Sequence, residues 1–174
     1  MLSINSADST TKPPNAILLV SAYAGDHDSL QSIFRGSRWQ LQGARTVSDG
    51  LKSIRRHHAE IPVVICQHSL PDGGWKHLLT QMDTMAVQPS LIVCSRLADE
   101  RLWAEVLNLG AFDLLLGAPF ESEEVLRVTQ SAWSAWQSAA YPSALPRIAP
   151  GPARSPVDIR AKAFAAGGDI SAVG

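Results

Sequence analysis

The sequence predicts an α/β fold, a three-layer sandwich in which a five-stranded parallel sheet lies between five helices. Short apolar runs, typical of strands covered on both faces, alternate along the chain with longer segments of helical spacing. Alternation of this kind joins parallel strands through right-handed crossovers. For five strands a common order is 2-1-3-4-5, which places the ligand crevice at the carboxyl ends of strands 1, 3 and 4.

The first half of the domain supplies three strands and two helices. The strands are predicted at 16–21, 39–46 and 62–67. The first helix is expected to begin at Asp26 and Asp28, because acidic residues suit the positive end of a helix. Ser48 is predicted to cap the second helix, whose Leu51 and Ile54 share one face. The second strand alternates apolar and polar residues, which indicates the edge of the sheet.

The second half repeats the pattern after a turn at residues 71–74, which contain Pro, Asp and two Gly. Strands are predicted at 90–95 and 111–118, and helices at 75–85, 98–110 and 121–141. Gly110 ends the fourth helix and Pro119 precedes the fifth. These elements complete the five strands and five helices.

The two ends of the chain differ from this middle part in composition. Residues 1–14 are polar and predict a disordered leader, residues 15–140 form the domain, and residues 141–174 predict a disordered tail rich in Pro, Ala and Gly. Within the tail, segment 155–166 carries helix-start signals at Ser155 and Pro156. It is interpreted either as a transient helix or as a short docking helix.

Composition narrows the function classes. The formal net charge is −1, so no overall field draws the molecule to nucleic acid or to a membrane surface. No apolar run approaches the ~20 residues of a membrane span. The two cysteines, Cys66 and Cys94, lie in apolar strands and predict buried reduced thiols. The histidines lack partners at ligand spacing, so no metal or other cofactor is predicted, and a cytoplasmic location is expected.

Three stretches together suggest a family. "SLPDGGW" follows the third strand, "VCSR" ends the fourth, and "LGAFDLLLGAPF" surrounds the fifth. With the order and length of the elements, they make residues 16–138 resemble the receiver domain of two-component response regulators. The resemblance implies a flavodoxin-like fold, a role in phosphorelay signalling, and a cis peptide bond between Ala118 and Pro119.

The resemblance also implies a phosphorylation pocket, but most of its groups are replaced. An active receiver has an acidic pair, a phospho-accepting Asp, a hydroxyl residue and a Lys. By position these fall on Ser21, Ala22, Gln67, Ser95 and Ala118. Only Ser95 fits the pattern. The chain therefore resembles a degenerate pseudo-receiver.

The physical chemistry of these replacements predicts loss of the reaction. Mg²⁺ requires anionic oxygen ligands, and phosphoryl transfer relies on neutralising the phosphoryl charge. Ser, Ala and Gln supply no charge, and a Gln amide is a poor nucleophile. Asp26 and Asp28 are expected to lie too far into the first helix to replace the lost acids. Gln67 is predicted to bridge Ser95 and the loop after the third strand, which would lock the domain in one state.

Two functional classes follow from this. The favoured one is a stand-alone signalling module that is not an enzyme. It would bind a protein partner, or itself, through the fourth helix, the fifth strand and the fifth helix. Large side chains are the candidates for that surface: Trp103, Leu115, Trp133 and Trp136. The alternative is a small-ligand binder or an enzyme that uses Gln67, His68 and Ser95 at the carboxyl ends of the strands.

Overall fold

The structure is a computed structural model that describes residues 15–57, 60–117 and 119–141. Its long strands are β1 (Ala16–Val20), β2 (Gln40–Ala44), β3 (Val63–Gln67), β6 (Ser90–Ser95) and β7 (Asp113–Leu116), with a small hairpin of β4 (Ser69–Leu70) and β5 (Gly73–Gly74). The helices are α1 (Ala24–Phe34), α2 (Val47–His57), α3 (Trp75–Met82), α4 (Glu100–Asn108) and α5 (Ser122–Ala140). Five helices and five long strands were predicted, and both counts are confirmed for the described residues.

The long strands form one parallel sheet in the order β2-β1-β3-β6-β7. This is the predicted order 2-1-3-4-5, because β6 and β7 are the fourth and fifth long strands. The register pairs Val20 with Cys66 and Gln67 with Cys94. The carboxyl ends of β1, β3 and β6 therefore lie side by side.

Helices cover both faces of the sheet because the central strands are apolar on both sides. On one face Leu18, Val64 and Val93 pack against α2, α3 and α4, with Trp75 fully buried among them. On the other face Ile65 and other strand residues pack against α1 and α5. Each buried Leu or Ile side chain stabilises the fold by roughly 1.5–3 kcal/mol.

The prediction that Ser48 caps α2 was wrong. Ser48 lies within the first turn of the helix, and the Thr46 hydroxyl accepts a hydrogen bond from the Asp49 amide at 3.1 Å. The Asp72 carboxylate accepts two more, from the amides of Val47 and Ser48 at 2.8 and 2.9 Å. Thr46 is therefore the local N-cap, and a loop distant in sequence adds two bonds that a local pattern cannot predict.

Several predictions lie outside the described residues. They are the disordered leader at 1–14, the tail from residue 142 onward, and Ala118 with the peptide bond that it forms with Pro119. Within the described part of the chain, none of the helices is both long and apolar enough to cross a membrane.

Candidate functional site

The carboxyl edge of the sheet collects polar side chains at the ends of three strands. Ser21 follows β1, Gln67 ends β3 and Ser95 ends β6, and all three are buried. The structure thus places Ser21, Gln67 and Ser95, three of the predicted pocket positions, at the same edge of the sheet. Ala22 is half-buried beside them.

Gln67 contacts the end of the first strand. Its Oε1 accepts a hydrogen bond from the Ala22 amide at 3.4 Å and lies 3.3 Å from the Ser21 hydroxyl oxygen. The predicted bridge to Ser95 was wrong, because the Ser95 hydroxyl bonds to the carbonyl and amide of Leu97 at 3.1 and 3.2 Å. The residue at the acceptor position thus links β3 to β1.

Asp26 reaches into this pocket, contrary to prediction. Helix α1 begins at Ala24, earlier than expected, so Asp26 lies in its first turn and faces inward. Its side chain is only 4% exposed, and one carboxylate oxygen accepts a 2.6 Å hydrogen bond from the Ser21 hydroxyl. The pocket therefore contains one negative group, supplied by the helix and not by the end of the strand.

Arg96 neutralises that carboxylate. Its guanidinium donates to the second Asp26 oxygen at 2.7 Å and stacks on the Tyr23 ring at 4.0 Å from the centroid. The ring limits where the guanidinium can move, and the planar cation suits both contacts. We call the set formed by Ser21, Asp26, Gln67 and Arg96 the pocket latch.

The pocket latch does not fit Mg²⁺. A magnesium ion in a protein takes octahedral oxygen ligands that include carboxylates. The latch offers one carboxylate, and both of its oxygens already accept hydrogen bonds from Ser21 and Arg96. Among the described residues no group of three His, Cys, Asp or Glu side chains is placed to hold a metal ion.

The "LPDG" loop has a structural role here. Asp72 caps α2, and this contact lowers the pKa of its carboxyl group, chiefly through the Ser48 amide. Gly73 has a φ of 141°, which disfavours any other residue in the tight hairpin. The Asp72 of the motif that supports the resemblance thus holds the start of α2.

The thiols next to the site are inert. Burial raises the pKa of Cys66 well above its usual value and that of Cys94 to about 12. Both are free and buried, as predicted. They belong to opposite core layers, Cys66 with α2, α3 and α4 and Cys94 with α1 and α5, so they cannot form a redox pair without rearrangement of the sheet.

The four residues proposed for a partner surface have different surroundings. Leu115 is 1% exposed, and Trp136 is 4% exposed. Trp133 is also buried, in edge contact with Trp39 and covered by the Arg38 guanidinium. These three belong to the interior, and only the half-buried Trp103 on α4 remains as a surface candidate.

Sequence analysis missed the importance of Arg96 and Tyr23. Arg96 was visible in "VCSR", but its only signal was a cation directly after the fourth strand. Its partner comes from α1, and no spacing rule connects residues seventy positions apart. Tyr23 gave no signal beyond its place before the helix.

Solved structures of response-regulator receiver domains share this fold. The receiver domain of an HD domain-containing protein from Pseudomonas fluorescens Pf-5 matches with a TM-score of 0.67 and 23% identity, covering 75% of this chain and 95% of that one. A CheY-like receiver domain protein from Methanospirillum hungatei JF-1 matches with a TM-score of 0.61 and 19% identity, covering 72% and 98%.

A third structure, the CheX-CheY-BeF3-Mg complex from Borrelia burgdorferi, matches with a TM-score of 0.63 and 20% identity, covering 69% of this chain and 90% of that one. No family model and no curated protein matches the chain. At these identities the likeness establishes the fold: the chain has the flavodoxin-like fold of receiver domains.

Proposed function

We propose that the protein is a response-regulator-like signalling module that acts by protein–protein contact and does not accept phosphate at Gln67. The observation that carries the proposal is the pocket latch. The acceptor position holds a buried amide, and the one buried carboxylate beside it is paired with Arg96. The protein is proposed to be a pseudo-receiver in the cytoplasm and not an enzyme.

The latch opposes each requirement of phosphoryl transfer. An attacking carboxylate is missing at Gln67, and Asp26 is already bound to Ser21 and Arg96. A receiver's metal would have to displace Arg96 from a carboxylate that is almost fully buried and already bonded through both oxygens. Catalysis of this type depends on positioned charge, and here that charge is internally compensated.

The proposed partner surface is formed by α4, β7 and α5. β7 is an edge strand of the sheet, so one side of its backbone carries no strand pairing. Trp103 is half-buried on α4, and Leu109 at the end of that helix is 51% exposed. A partly exposed tryptophan is typical of the centre of a protein interface, and Leu109 adds exposed apolar surface at the end of the same helix.

Phosphorylation can be tested directly. The full chain is incubated with Mg²⁺ and a small acyl-phosphate donor, and its intact mass is measured alongside an active receiver as the positive control. We expect no mass increase of one phosphoryl group in this chain. Stoichiometric phosphorylation, lost in Gln67→Ala or in Asp26→Asn, would overturn the proposal.

The partner surface has its own test. The full chain carries Leu109→Glu at the end of α4 or, as a matched control, Thr80→Glu at an exposed position of α3. Self-association is measured by sedimentation, and partners are identified by affinity capture with each variant. We expect Leu109→Glu alone to abolish the association. Equal behaviour of the two variants would place the interface elsewhere and leave the phosphorylation result unaffected.

A further inference from the structure

A second concave site lies at the opposite edge of the sheet. Its volume is about 470 Å³, within the range of roughly 300–1,000 Å³ that ligand sites occupy. It lies among the carboxyl ends of α2 and α5 and the segment between α3 and β6. We call it the amino-edge cleft, and its walls are Arg55, Met85, Ala86, Val87, Trp136, Ala140 and Tyr141.

The cleft walls are apolar apart from one cation. Tyr141 packs its ring edge-to-face on Trp136, with 6.1 Å between the ring centroids. Val87 and Tyr141 are 38% and 47% exposed and both line the cleft. Exposed apolar side chains that lie together in this way are typical of an interaction site. The Arg55 guanidinium donates to the neutral Gln81 amide at 3.3 Å. The cleft therefore suits an apolar helix face with an acidic residue beside it.

The chain itself provides a segment of that chemistry. Tyr141 is both a wall of the cleft and the point where the described chain continues into residues 142–174. In segment 155–166, Val157, Ala161 and Phe164 recur at i, i+4 and i+7, which is one face of a helix. Asp158 follows Val157 and can pair with Arg55.

Chain length permits this contact. Fifteen residues separate Tyr141 from Val157, and five of them are proline, a composition typical of semi-rigid linkers of up to about 3.1 Å per residue. Because this short linker starts at a wall of the cleft, it keeps segment 155–166 near the cleft and makes the contact intramolecular. Even a weak helix-in-groove contact is then well populated, since it need not pay for association from free solution.

We propose that segment 155–166 of this same chain covers the amino-edge cleft, with Phe164 inserted beside Trp136 and Asp158 facing Arg55. The contact is independent of the pocket latch and of any partner on α4. It assigns a role to the segment that sequence analysis left open between a transient and a docking helix.

Disulfide trapping in the full chain tests the proposal. Cysteines are introduced as Val87→Cys with Ala161→Cys, which leaves Phe164 in place, and as Val87→Cys with Ser171→Cys for comparison. The native thiols of Cys66 and Cys94 stay silent, because burial raises their pKa values. Under mild oxidation we expect the first pair to close within the chain at least about tenfold faster than the second, consistent with the effective concentrations of a docked segment.

Two further variants keep the outcome decisive. When Phe164→Asp is added to the Val87→Cys and Ala161→Cys pair, disulfide closure should no longer be faster than in the comparison pair. When Ile159→Asp is added instead, on the opposite side of the helix, closure should stay faster. Equal rates for the two cysteine pairs would overturn the proposal. Disulfides formed mainly between chains would also overturn it and would assign the cleft to a second copy. The circular dichroism spectrum of each variant verifies that the domain is folded.

Discussion

The two edges of the sheet have opposite characters. At the carboxyl edge, where proteins of this fold class usually bind ligands, polar groups are present but satisfy one another: Ser21 binds Asp26, and Arg96 neutralises it. At the amino edge the walls are apolar, and Val87 and Tyr141 remain partly exposed. The two edges therefore differ in that polar side chains bond to one another at the carboxyl edge, whereas apolar side chains stay partly exposed at the amino edge.

The origin of the contrast lies in the residues that each edge uses. A polar pocket can be closed by a few side chains of opposite charge. An apolar cleft can be closed only by more apolar surface, which must come from another segment or molecule. The following predictions test the two edges, beginning with the largest expected effect.

The largest effect is expected at Trp136. Trp136→Ala should lower the free energy of unfolding by about 3–5 kcal/mol, as large-to-small changes of buried aromatics do. Trp136→Phe should cost less, because it keeps an aromatic ring and, among the described residues, the buried indole Nε1 has no hydrogen-bond partner to lose. Urea denaturation of both variants measures the difference. A cost for Phe as large as that for Ala would mean that the indole N–H is bonded after all.

Loss of Arg96 from the pocket latch should lower the free energy of unfolding by a smaller amount, and the loss should depend on the presence of Asp26. Arg96→Met leaves Asp26 buried without its cation and should cost about 2–3 kcal/mol, below the range for fully buried pairs because the Arg96 side chain is 38% exposed. The double variant Asp26→Asn with Arg96→Met should recover most of this loss. A double-mutant cycle by denaturation measures the coupling, and simple additivity of the two changes would contradict the latch.

The cap of α2 has a pH signature. Asp72→Asn should cost about 0.5–1 kcal/mol at neutral pH, at the low end for helix caps because the residue is exposed. The native pKa lies below 3.8, so the stabilisation is complete above that value and is lost as the pH falls through the native pKa. Thermal unfolding between pH 7 and strongly acidic pH should therefore show the two proteins converging in acid. Asp83→Asn, far from any cap role at α2, is the comparison.

The smallest effect is expected on the melting temperature of the native chain when Mg²⁺ is added. Because the latch supplies its own cation, millimolar Mg²⁺ followed by a chelator should leave the melting temperature unchanged. The variant Gln67→Asp with Arg96→Ser adds a carboxylate and removes the competing cation, so it should gain a shift with Mg²⁺. A magnesium-dependent shift in the native chain would show that the latch opens readily.

The sequence was sufficient for most of the fold and only part of the site. Buried runs such as Val63–Gln67 and their alternation with helices predicted the sheet order, because burial on both faces of a parallel sheet leaves a strong local pattern. Ser21 and Gln67, which stand at replaced positions, and Ser95, which keeps the expected hydroxyl, lie at the same edge of the sheet, as their places at strand ends predict. These features depend on strand ends, which the topology alone brings to one edge.

What the sequence could not predict depends on contacts between distant segments. Asp26 was expected to lie too far into its helix, because the predicted helix start is two residues later than the observed one and the inward direction of the side chain depends on tertiary packing. Its pairing with Arg96, and the capping of α2 by Asp72, join separate parts of the chain. Leu115 and Trp133 were expected at a surface because their size fits an interface equally well as a core.

Arg96 has a consequence for how a cell would regulate such a module. Both oxygens of the Asp26 carboxylate are already bonded within the chain, one of them to Arg96. Under the proposed function the pocket does not change with an added ion or phosphoryl group. We therefore expect the output of this protein to scale with its abundance and not with the activity of a histidine kinase.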